Sequence, residues 1–217
     1  MNSYLVKTPS LIPILYGKQV WNFSPDNKNI YLTFDDGPTP EITDWVLATL
    51  NKYNAEATFF CIGKNIEQNP DIFKNIYQSG HAIGNHTYDH LKGWKTNSQD
   101  YLNSILKTDQ IIKDLIGKNG TKLFRPPYGK IKRSQTELLI KNNFKIIMWS
   151  VLSADFDRNI DENKCLINVI KNTNNGSIIV FHDSVKAYDK LQVVLPKILE
   201  YFSNKGYSFK KIEESMT

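Results

Sequence analysis

The sequence has few cysteines, few arginines and no long apolar run. Its two cysteines are far apart, and Cys61 lies within an apolar stretch, which indicates buried thiols. Only three residues are arginines and the formal net charge of +5 is spread along the chain, so we expect no nucleic-acid binding. No segment resembles a signal peptide or is apolar for long enough to cross a bilayer, so we expect a cytoplasmic protein without a membrane span.

The composition permits one well-packed domain. A chain of 217 residues with 41% hydrophobic content can bury a sizeable core, and we expect no second full domain. Residues 1–29 are expected to form a capping or edge segment around Trp21 and Phe23, and residues 30–217 the main domain. We also expect a monomer.

Short apolar runs alternate with longer amphipathic stretches over the main domain. The runs are rich in β-branched or aromatic residues and predict seven strands, at 30–34, 57–62, 81–84, 122–125, 144–150, 177–181 and 207–210. Apolar residues at helical spacing predict six helices between them, at 41–53, 66–78, 99–116, 134–142, 161–172 and 190–203. This alternation predicts a parallel sheet, either a closed or nearly closed barrel or an open doubly wound sheet. No Gly-x-Gly-x-x-Gly follows a strand, which disfavours the dinucleotide-binding fold.

Side chains that can do chemistry follow several predicted strands at their carboxyl ends. They are Asp35 and Asp36 after the first strand, His86 and His90 after the third, Arg125 at the end of the fourth, Asp155 after the fifth and His182 after the sixth. In parallel α/β folds ligands bind at this end, because the loops there converge on a common mouth. We therefore expect these residues to gather at one site.

Two histidines and one carboxylate of this set predict a metal centre. His86 and His90 are four residues apart, a spacing that brings both imidazoles together on a helical turn. The His-x-x-x-His pattern alone is weak, because it occurs often by chance on helix surfaces. A third ligand from Asp36 or Asp35 would give two histidines, one carboxylate and an open position, as in a catalytic zinc site or that of a similar divalent ion.

The other polar residues at the strand ends indicate a hydrolytic reaction at this metal centre. The spare aspartate of the pair could take a proton from water, with Arg125 keeping it ionised. His182 could protonate a leaving group, with Asp155 behind its imidazole. Each feature also has a structural interpretation: a strand ending in a turn for the aspartate pair, a surface ion pair for Arg125 and a satisfied histidine at the core edge for His182.

Five short motifs occur in order along the chain: TFDDG at 33–37, HTYDH at 86–90, RPPYG at 125–129, DF at 155–156 and VFH at 180–182. Together they resemble the polysaccharide deacetylases of carbohydrate esterase family 4, also called the NodB-homology domain. The resemblance implies a distorted, TIM-barrel-like (β/α)7 barrel of parallel strands, with residues 30–217 as its catalytic domain. It also implies a hydrolase that removes N-acetyl groups from N-acetylglucosamine-type sugars in peptidoglycan or chitin-like glycans and releases acetate.

The resemblance further implies a role for each motif residue: Asp35 as catalytic base; Asp36, His86 and His90 as metal ligands; Arg125 as support for the base; the backbone N–H of Tyr128 as an oxyanion donor; and His182 as general acid with Asp155 behind it. The metal would be one divalent ion, Zn²⁺ in the first place, with Co²⁺ or another transition metal as alternatives.

Three positions depart from the family's motifs. The fourth motif commonly has an aspartate where Leu152 stands and a tryptophan where Phe156 stands, and the fifth commonly begins with leucine where Val180 stands. These positions line the wall that receives the acetyl methyl group, so substrate preference is expected to depend on them, with Trp149 or Phe156 as the surface for a pyranose ring. Two alternatives remain: a carbohydrate-binding protein on an inactive deacetylase scaffold, and a deacetylase of acetyl esters or small-molecule amides. If the substrate is a wall polymer, the alternative to a cytoplasmic location is the cell envelope or the extracellular space.

Overall fold

The computed structural model describes residues 4–117 and 121–216. Its strands are β1 (Asn29–Asp35), β2 (Ala57–Cys61), β3 (Ala82–Asn85), β4 (Leu123–Phe124), β5 (Lys145–Ile146), β6 (Val151–Leu152), β7 (Ile178–His182) and β8 (Ser208–Phe209). Its helices are α1 (Leu11–Leu15), α2 (Ile42–Asn51), α3 (Gly63–Gln68), α4 (Pro70–Gln78), α5 (Ser98–Ile116), α6 (Arg133–Lys141), α7 (Glu162–Asn172) and α8 (Tyr188–Asn204). Residues 1–3, at the start of the expected capping segment, lie outside the described residues.

The strands form one parallel sheet that curls into a distorted barrel. Neighbouring strands follow the order β5-β4-β3-β2-β1-β7-β6, and β8 pairs with the first residues of β1. β1 lies near the middle of this path and its residues are almost entirely buried, as both faces of a strand are in a parallel α/β sheet. The register of β1 on β7 sets Asp35 directly beside His182. The predicted parallel α/β barrel class is therefore confirmed.

The predicted fifth strand, 144–150, is wrong in its extent. Only β5 lies within it, and β6 begins just beyond its end; β5 pairs with β4 at one end of the sheet, whereas β6 pairs with β7 at the other. The residues between them cross the gap, where the backbone N–H of Met148 donates to the carbonyl of Val20 and that of Ser150 to Ile178. The run looks like one strand in the sequence because it is mostly apolar, but barrel closure makes it change partners midway.

Two helices also differ from expectation. The predicted helix 66–78 is two helices, α3 and α4, because Pro70 occupies the first position of α4 and has no N–H with which to continue α3. The short α1 lies in the N-terminal segment and was not predicted. The other helices occupy their predicted stretches to within a few residues at each end.

The N-terminal segment runs along the edge of the barrel. Lys7 pairs with Val151 in an antiparallel bridge, and Val20 and Asn22 form further bridges to residues 147 and 177. Trp21 packs against the core cluster under α5 and α6. This segment therefore borders the gap between β5 and β6, where the barrel lacks a continuous strand ladder in the described residues.

The core fills the space between the barrel and its helices. Phe34 stacks against Phe59 and Phe181, with ring centroids 5.0 and 6.0 Å apart. Cys61 and Cys165 are both buried and unpaired, which confirms the predicted buried thiols. Across residues 4–117 and 121–216, no helix combines the length and apolar character that a membrane span requires.

Candidate active site and metal centre

The carboxyl ends of the strands surround a cavity of about 750 Å³. The residues that the sequence singled out and that line it are Asp35, Asp36, His86, His90, Tyr128, Trp149, Phe156, Val180 and His182. Arg125 and Asp155 are fully buried behind this wall, each bonded to a lining residue. The structure thus brings together every predicted site residue.

Asp36, His86 and His90 present one ligand atom each, and these atoms all lie within 4.8 Å of one another. Asp36 Oδ1 is 3.7 Å from His86 Nε2 and 3.3 Å from His90 Nε2. That oxygen is buried and has no hydrogen-bond partner among the described residues. A buried carboxylate oxygen without a donor, set between two imidazole nitrogens, fits a divalent cation.

The His86 ring is oriented for such a role. Its Nδ1 lies 2.8 Å from the backbone carbonyl oxygen of Arg125, which can only accept, so Nδ1 carries the proton and Nε2 presents a lone pair toward Asp36. Burial lowers the pKa of His86 to about 4, although Asp35 and Asp36 act in the opposite direction. The ring is therefore neutral at physiological pH, as a metal-ligating imidazole must be.

The loop that carries the two histidines is not the helical turn that their spacing predicted. Residues 86–90 are irregular, with φ of 65° at Thr87 and 56° at His90. The Asn85 side chain accepts the Thr87 N–H at 3.0 Å, and the Gly63 N–H at the start of α3 donates to the Thr87 carbonyl at 2.9 Å. These contacts hold a loop conformation that non-glycine residues seldom adopt.

A buried ion pair joins Asp35 to Arg125, with Nη1 and Oδ1 2.7 Å apart. Three further bonds fix the guanidinium, to the Thr33 hydroxyl at 2.6 Å and to the carbonyl oxygens of Ile147 and Met148 at 3.1 and 2.9 Å. Arg125 is therefore anchored to the segment that closes the barrel. The alternative interpretation of Arg125 as a surface ion pair is wrong, because the residue is fully buried.

The surroundings of Asp35 favour its ionised form. Burial raises the pKa of this carboxyl, but the charge of Arg125, with smaller effects of His86 and His182, outweighs burial and holds the pKa below its usual value. A carboxylate that is ionised at neutral pH and lines a cavity can accept a proton from water.

Two hydrogen bonds connect Asp155 to His182. One carboxylate oxygen lies 2.7 Å from His182 Nδ1, and the other accepts the His182 backbone N–H at 2.8 Å. Burial lowers the pKa of His182, but the charge and hydrogen bond of Asp155, with Asp36 and Asp35, raise it to about 9. The imidazolium is thus the main form at neutral pH, and it can donate a proton into the cavity.

The two aspartates of the pair diverge because the chain turns between them. Asp35 ends β1, and Asp36 has a φ of 81°, which redirects its carboxylate toward the histidines. The next residue, Gly37, donates its N–H to Asp183 Oδ1 at 3.0 Å, and a Cβ on Gly37 would lie 2.0 Å from the other oxygen of Asp183. Thr43 donates its hydroxyl to that second oxygen at 2.5 Å.

The family's sequence model, described as polysaccharide deacetylase, matches residues 23–147. A peptidoglycan-N-acetylglucosamine deacetylase of Bacillus cereus is 40% identical over 195 residues, which are 88% of this chain and 70% of the relative. The chain belongs to the polysaccharide deacetylase family. A family member named chitooligosaccharide deacetylase, from Azorhizobium caulinodans, is 34% identical over 166 residues, 76% of this chain and 78% of that one. The chain is also similar to the crystal structure of the Bc1960 peptidoglycan N-acetylglucosamine deacetylase, with a TM-score of 0.88 and 35% sequence identity. The match covers 94% of this chain and 96% of the crystallised chain.

A tight turn gives this polysaccharide deacetylase one aromatic wall. Tyr128 has a φ of 61° and Gly129 a φ of 66°, and a Cβ on Gly129 would lie 2.4 Å from the Trp149 ring. Glycine therefore lets Trp149 pack against the turn. The Tyr128 ring is about half exposed and lies 4.6 Å from the His90 ring, so it borders the candidate metal site.

The three positions that depart from the deacetylase motifs all lie on the cavity wall. Leu152 and Val180 are only 5% and 1% exposed, so they form its deep part. Phe156 is more exposed, and its ring meets that of His182 edge-on with centroids 5.1 Å apart. Their placement agrees with the wall that the resemblance implied.

Sequence reasoning missed several residues of this deacetylase site. The additional cavity-lining side chains are Tyr4, Lys92, Trp94, Lys130, Ser184, Val185 and Lys186. Asp183 was also missed, although it directly follows His182 at the carboxyl end of β7. The expectation that polar residues at the carboxyl ends of the strands gather at the site applies to it as well. Burial, opposed by the hydrogen bond from Thr43, raises the pKa of Asp183 to about 7. No local signal could have found Tyr4, which reaches the cavity from the chain's beginning.

Proposed function

We propose that this chain is a metal-dependent hydrolase that removes N-acetyl groups from N-acetylglucosamine units of a poly- or oligosaccharide. One observation carries the proposal: an arginine-paired carboxylate, an aspartate-paired imidazolium and three metal-ligating groups border one cavity. Amide hydrolysis needs a base for water, stabilisation of a developing oxyanion and a proton for the leaving amine. These groups can meet all three needs.

We assign the metal to Asp36, His86 and His90. Two histidines and one carboxylate that leave an open position suit Zn²⁺, and Co²⁺ accepts the same ligands. When bound there, a divalent cation would lower the pKa of a coordinated water and polarise the acetamide carbonyl. Asp36 Oδ1, which has no hydrogen-bond partner within the part of the chain that the structure describes, supports this assignment.

The residues around the metal site would then divide the proton transfers. Asp35, ionised beside Arg125, takes the proton of the attacking water. His182, protonated beside Asp155, gives a proton to the sugar nitrogen as the C–N bond breaks, because an amine anion is too basic to leave. Acetate and a free glucosamine unit result. We assign the backbone N–H of Tyr128 to the oxyanion that forms on the former carbonyl.

The test is acetate release from chito-oligosaccharides and from peptidoglycan fragments by metal-depleted protein that is reloaded with Zn²⁺ or Co²⁺. We expect release only after reloading. Asp35→Asn should keep the metal and lose turnover, whereas His86→Ala should lose both, as measured by metal analysis of the purified variants. Equal metal loss in the two variants would contradict the division of roles, and sugar binding without acetate release would favour an inactive binding scaffold.

The relatives named above are described as acting on peptidoglycan or on chito-oligosaccharides, and we propose a glycan of this class for the present chain. We further propose residues 30–217 as the catalytic domain and residues 1–29 as a segment that covers its edge, supported by the three bridges from Lys7, Val20 and Asn22. We also propose a monomer, since this one chain already supplies an arginine-paired carboxylate, an aspartate-paired imidazolium and three candidate metal ligands. A peptidoglycan substrate would place its action at the cell envelope.

A further inference from the structure

Tyr4 lines the catalytic cavity although it lies outside residues 23–147, the stretch that matches the family's sequence model. Its ring meets that of Phe156 edge-on, with centroids 5.4 Å apart. Phe156 in turn meets the His182 ring at 5.1 Å. The N-terminal segment therefore extends the aromatic wall that begins beside the imidazolium.

The segment that carries Tyr4 is fixed to the barrel. The Leu152 N–H donates to the Val6 carbonyl at 2.8 Å, and the Thr8 N–H donates to the Ser150 carbonyl at 3.0 Å. The Thr8 hydroxyl also donates to the Trp149 carbonyl at 2.8 Å. Residues 6–8 thus act as an added antiparallel strand along β6 and deliver Tyr4 to the cavity mouth.

A hydrogen bond from the hydroxyl group also fixes the Tyr4 side chain, in addition to the backbone contacts of its segment. Its hydroxyl donates to Asp157 Oδ2 at 2.5 Å. The other oxygen of Asp157 accepts both the backbone and side-chain N–H groups of Asn159 at 2.9 Å, so the acceptor does not move freely. A ring that is held at both ends loses little conformational entropy when a ligand packs against it.

The depth of this wall indicates which part of a substrate it meets. Val180 and Leu152 line the cavity and are almost fully buried, so they form its deep part, where the proposed function puts the acetyl methyl group. Tyr4 and Phe156 are more exposed and lie at the mouth with Lys186, whose ammonium group is 5.5 Å from the Phe156 ring. Aromatic rings at a mouth with a hydrogen-bonding cation beside them suit a pyranose, which has an apolar face and a polar rim.

We propose that Tyr4 is a substrate-binding residue which, with Phe156, packs against a sugar ring of the glycan chain outside the acetyl pocket. This inference rests on the proposed function and adds the N-terminal segment to the substrate site. It assigns Tyr4 to the length of the glycan that is recognised, not to the chemical step. Asp157 is then a positioning residue, because it is not among the described residues that line the cavity and it accepts a hydrogen bond from the Tyr4 hydroxyl.

The experiment compares Tyr4→Ala and Tyr4→Phe with the wild type on a series of N-acetylglucosamine oligomers, and on p-nitrophenyl acetate, which has no sugar. Tyr16→Ala is the matched control, since Tyr16 is an exposed tyrosine of the same segment that does not line this cavity. We expect Tyr4→Ala to raise KM about three- to tenfold on the longer oligomers, with kcat retained and p-nitrophenyl acetate unaffected. Tyr4→Phe keeps the ring and should show a smaller rise.

An equal loss on p-nitrophenyl acetate and on the oligomers would overturn the proposal, because it would mean that Tyr4 only supports the loop with Asp155 and Phe156. Unchanged KM on every oligomer would overturn it too. If the wild type releases no acetate at all, the proposed function fails. Calorimetric binding of the N-acetylglucosamine pentamer then still tests whether Tyr4 binds the sugar. Weaker binding by Tyr4→Ala than by Tyr16→Ala would support the role, and equal binding, or no binding by the wild type, would overturn it.

Discussion

Replacing Asp155 by asparagine removes the charge that keeps His182 protonated. Both oxygens of Asp155 bond His182, at 2.7 Å to Nδ1 and at 2.8 Å to the backbone N–H. Burial lowers the pKa of this imidazole, and the charge and hydrogen bond of Asp155 are the main reason that it nevertheless rises from 6.5 to about 9. At about 1.4 kcal/mol for each pKa unit, the folded protein favours the imidazolium by about 3 kcal/mol.

The sign of the pH effect follows from the direction of this shift. The pKa of His182 is higher in the folded protein than in the unfolded chain, so the stabilisation is complete below pH 6.5 and is lost as the pH rises through about 9. Metal-free wild-type protein should therefore lose about 3 kcal/mol of unfolding free energy over this range through His182. Asp155→Asn should lack this loss. Its His182 should be neutral at neutral pH, because the effect of burial, which lowers the pKa, then outweighs the smaller effects of Asp36 and Asp35, which raise it.

The assay has two parts. NMR titration of the His182 imidazole in metal-free protein reports its pKa, and urea unfolding at several pH values reports the free energy. Asp114→Asn, which changes an exposed carboxylate on α5, is the control. In the metal-loaded enzyme, the alkaline limb of kcat/KM should move to lower pH in Asp155→Asn. An unchanged His182 pKa, or the same pH dependence of unfolding in both proteins, would refute the reasoning.

Two other changes test the buried carboxylates. Arg125→Met should cost about 3–5 kcal/mol of stability in urea unfolding, because Asp35 is left buried and unpaired, and it should raise the pH at which kcat/KM falls on the acid side. The control is Arg133→Met, which removes a surface ion pair and should cost less than about 1 kcal/mol in the same measurement. Equal costs for the two variants would contradict the burial argument. Asp183→Ala should weaken Zn²⁺ binding by about 10–100-fold in a chelator competition, because it removes the side chain that holds the turn carrying Asp36, and unchanged affinity would contradict this role.

Much of the site could be predicted because it obeys a local rule. Asp35, Arg125 and His182 each stand at or just after the carboxyl end of an apolar run, and parallel strands bring those ends to one mouth. The His86 and His90 pair could be predicted by residue type and spacing. Its conformation could not, because the loop is shaped by contacts with α3 that are not evident from its own five residues.

The sequence by itself determined the class of fold, the motif residues that gather at the mouth and, through five motifs, the family. The residue pattern left open which aspartate faces Arg125 and which faces the histidines. The family resemblance implied the answer, and the tertiary structure gives its physical reason: a positive φ at Asp36 separates two neighbours that are chemically identical. Only the tertiary structure decided that Tyr4 reaches the cavity, 153 residues from its partner Asp157. Periodicity and propensity express interactions between near neighbours in the chain, whereas these arrangements depend on contacts that exist only once the barrel has closed.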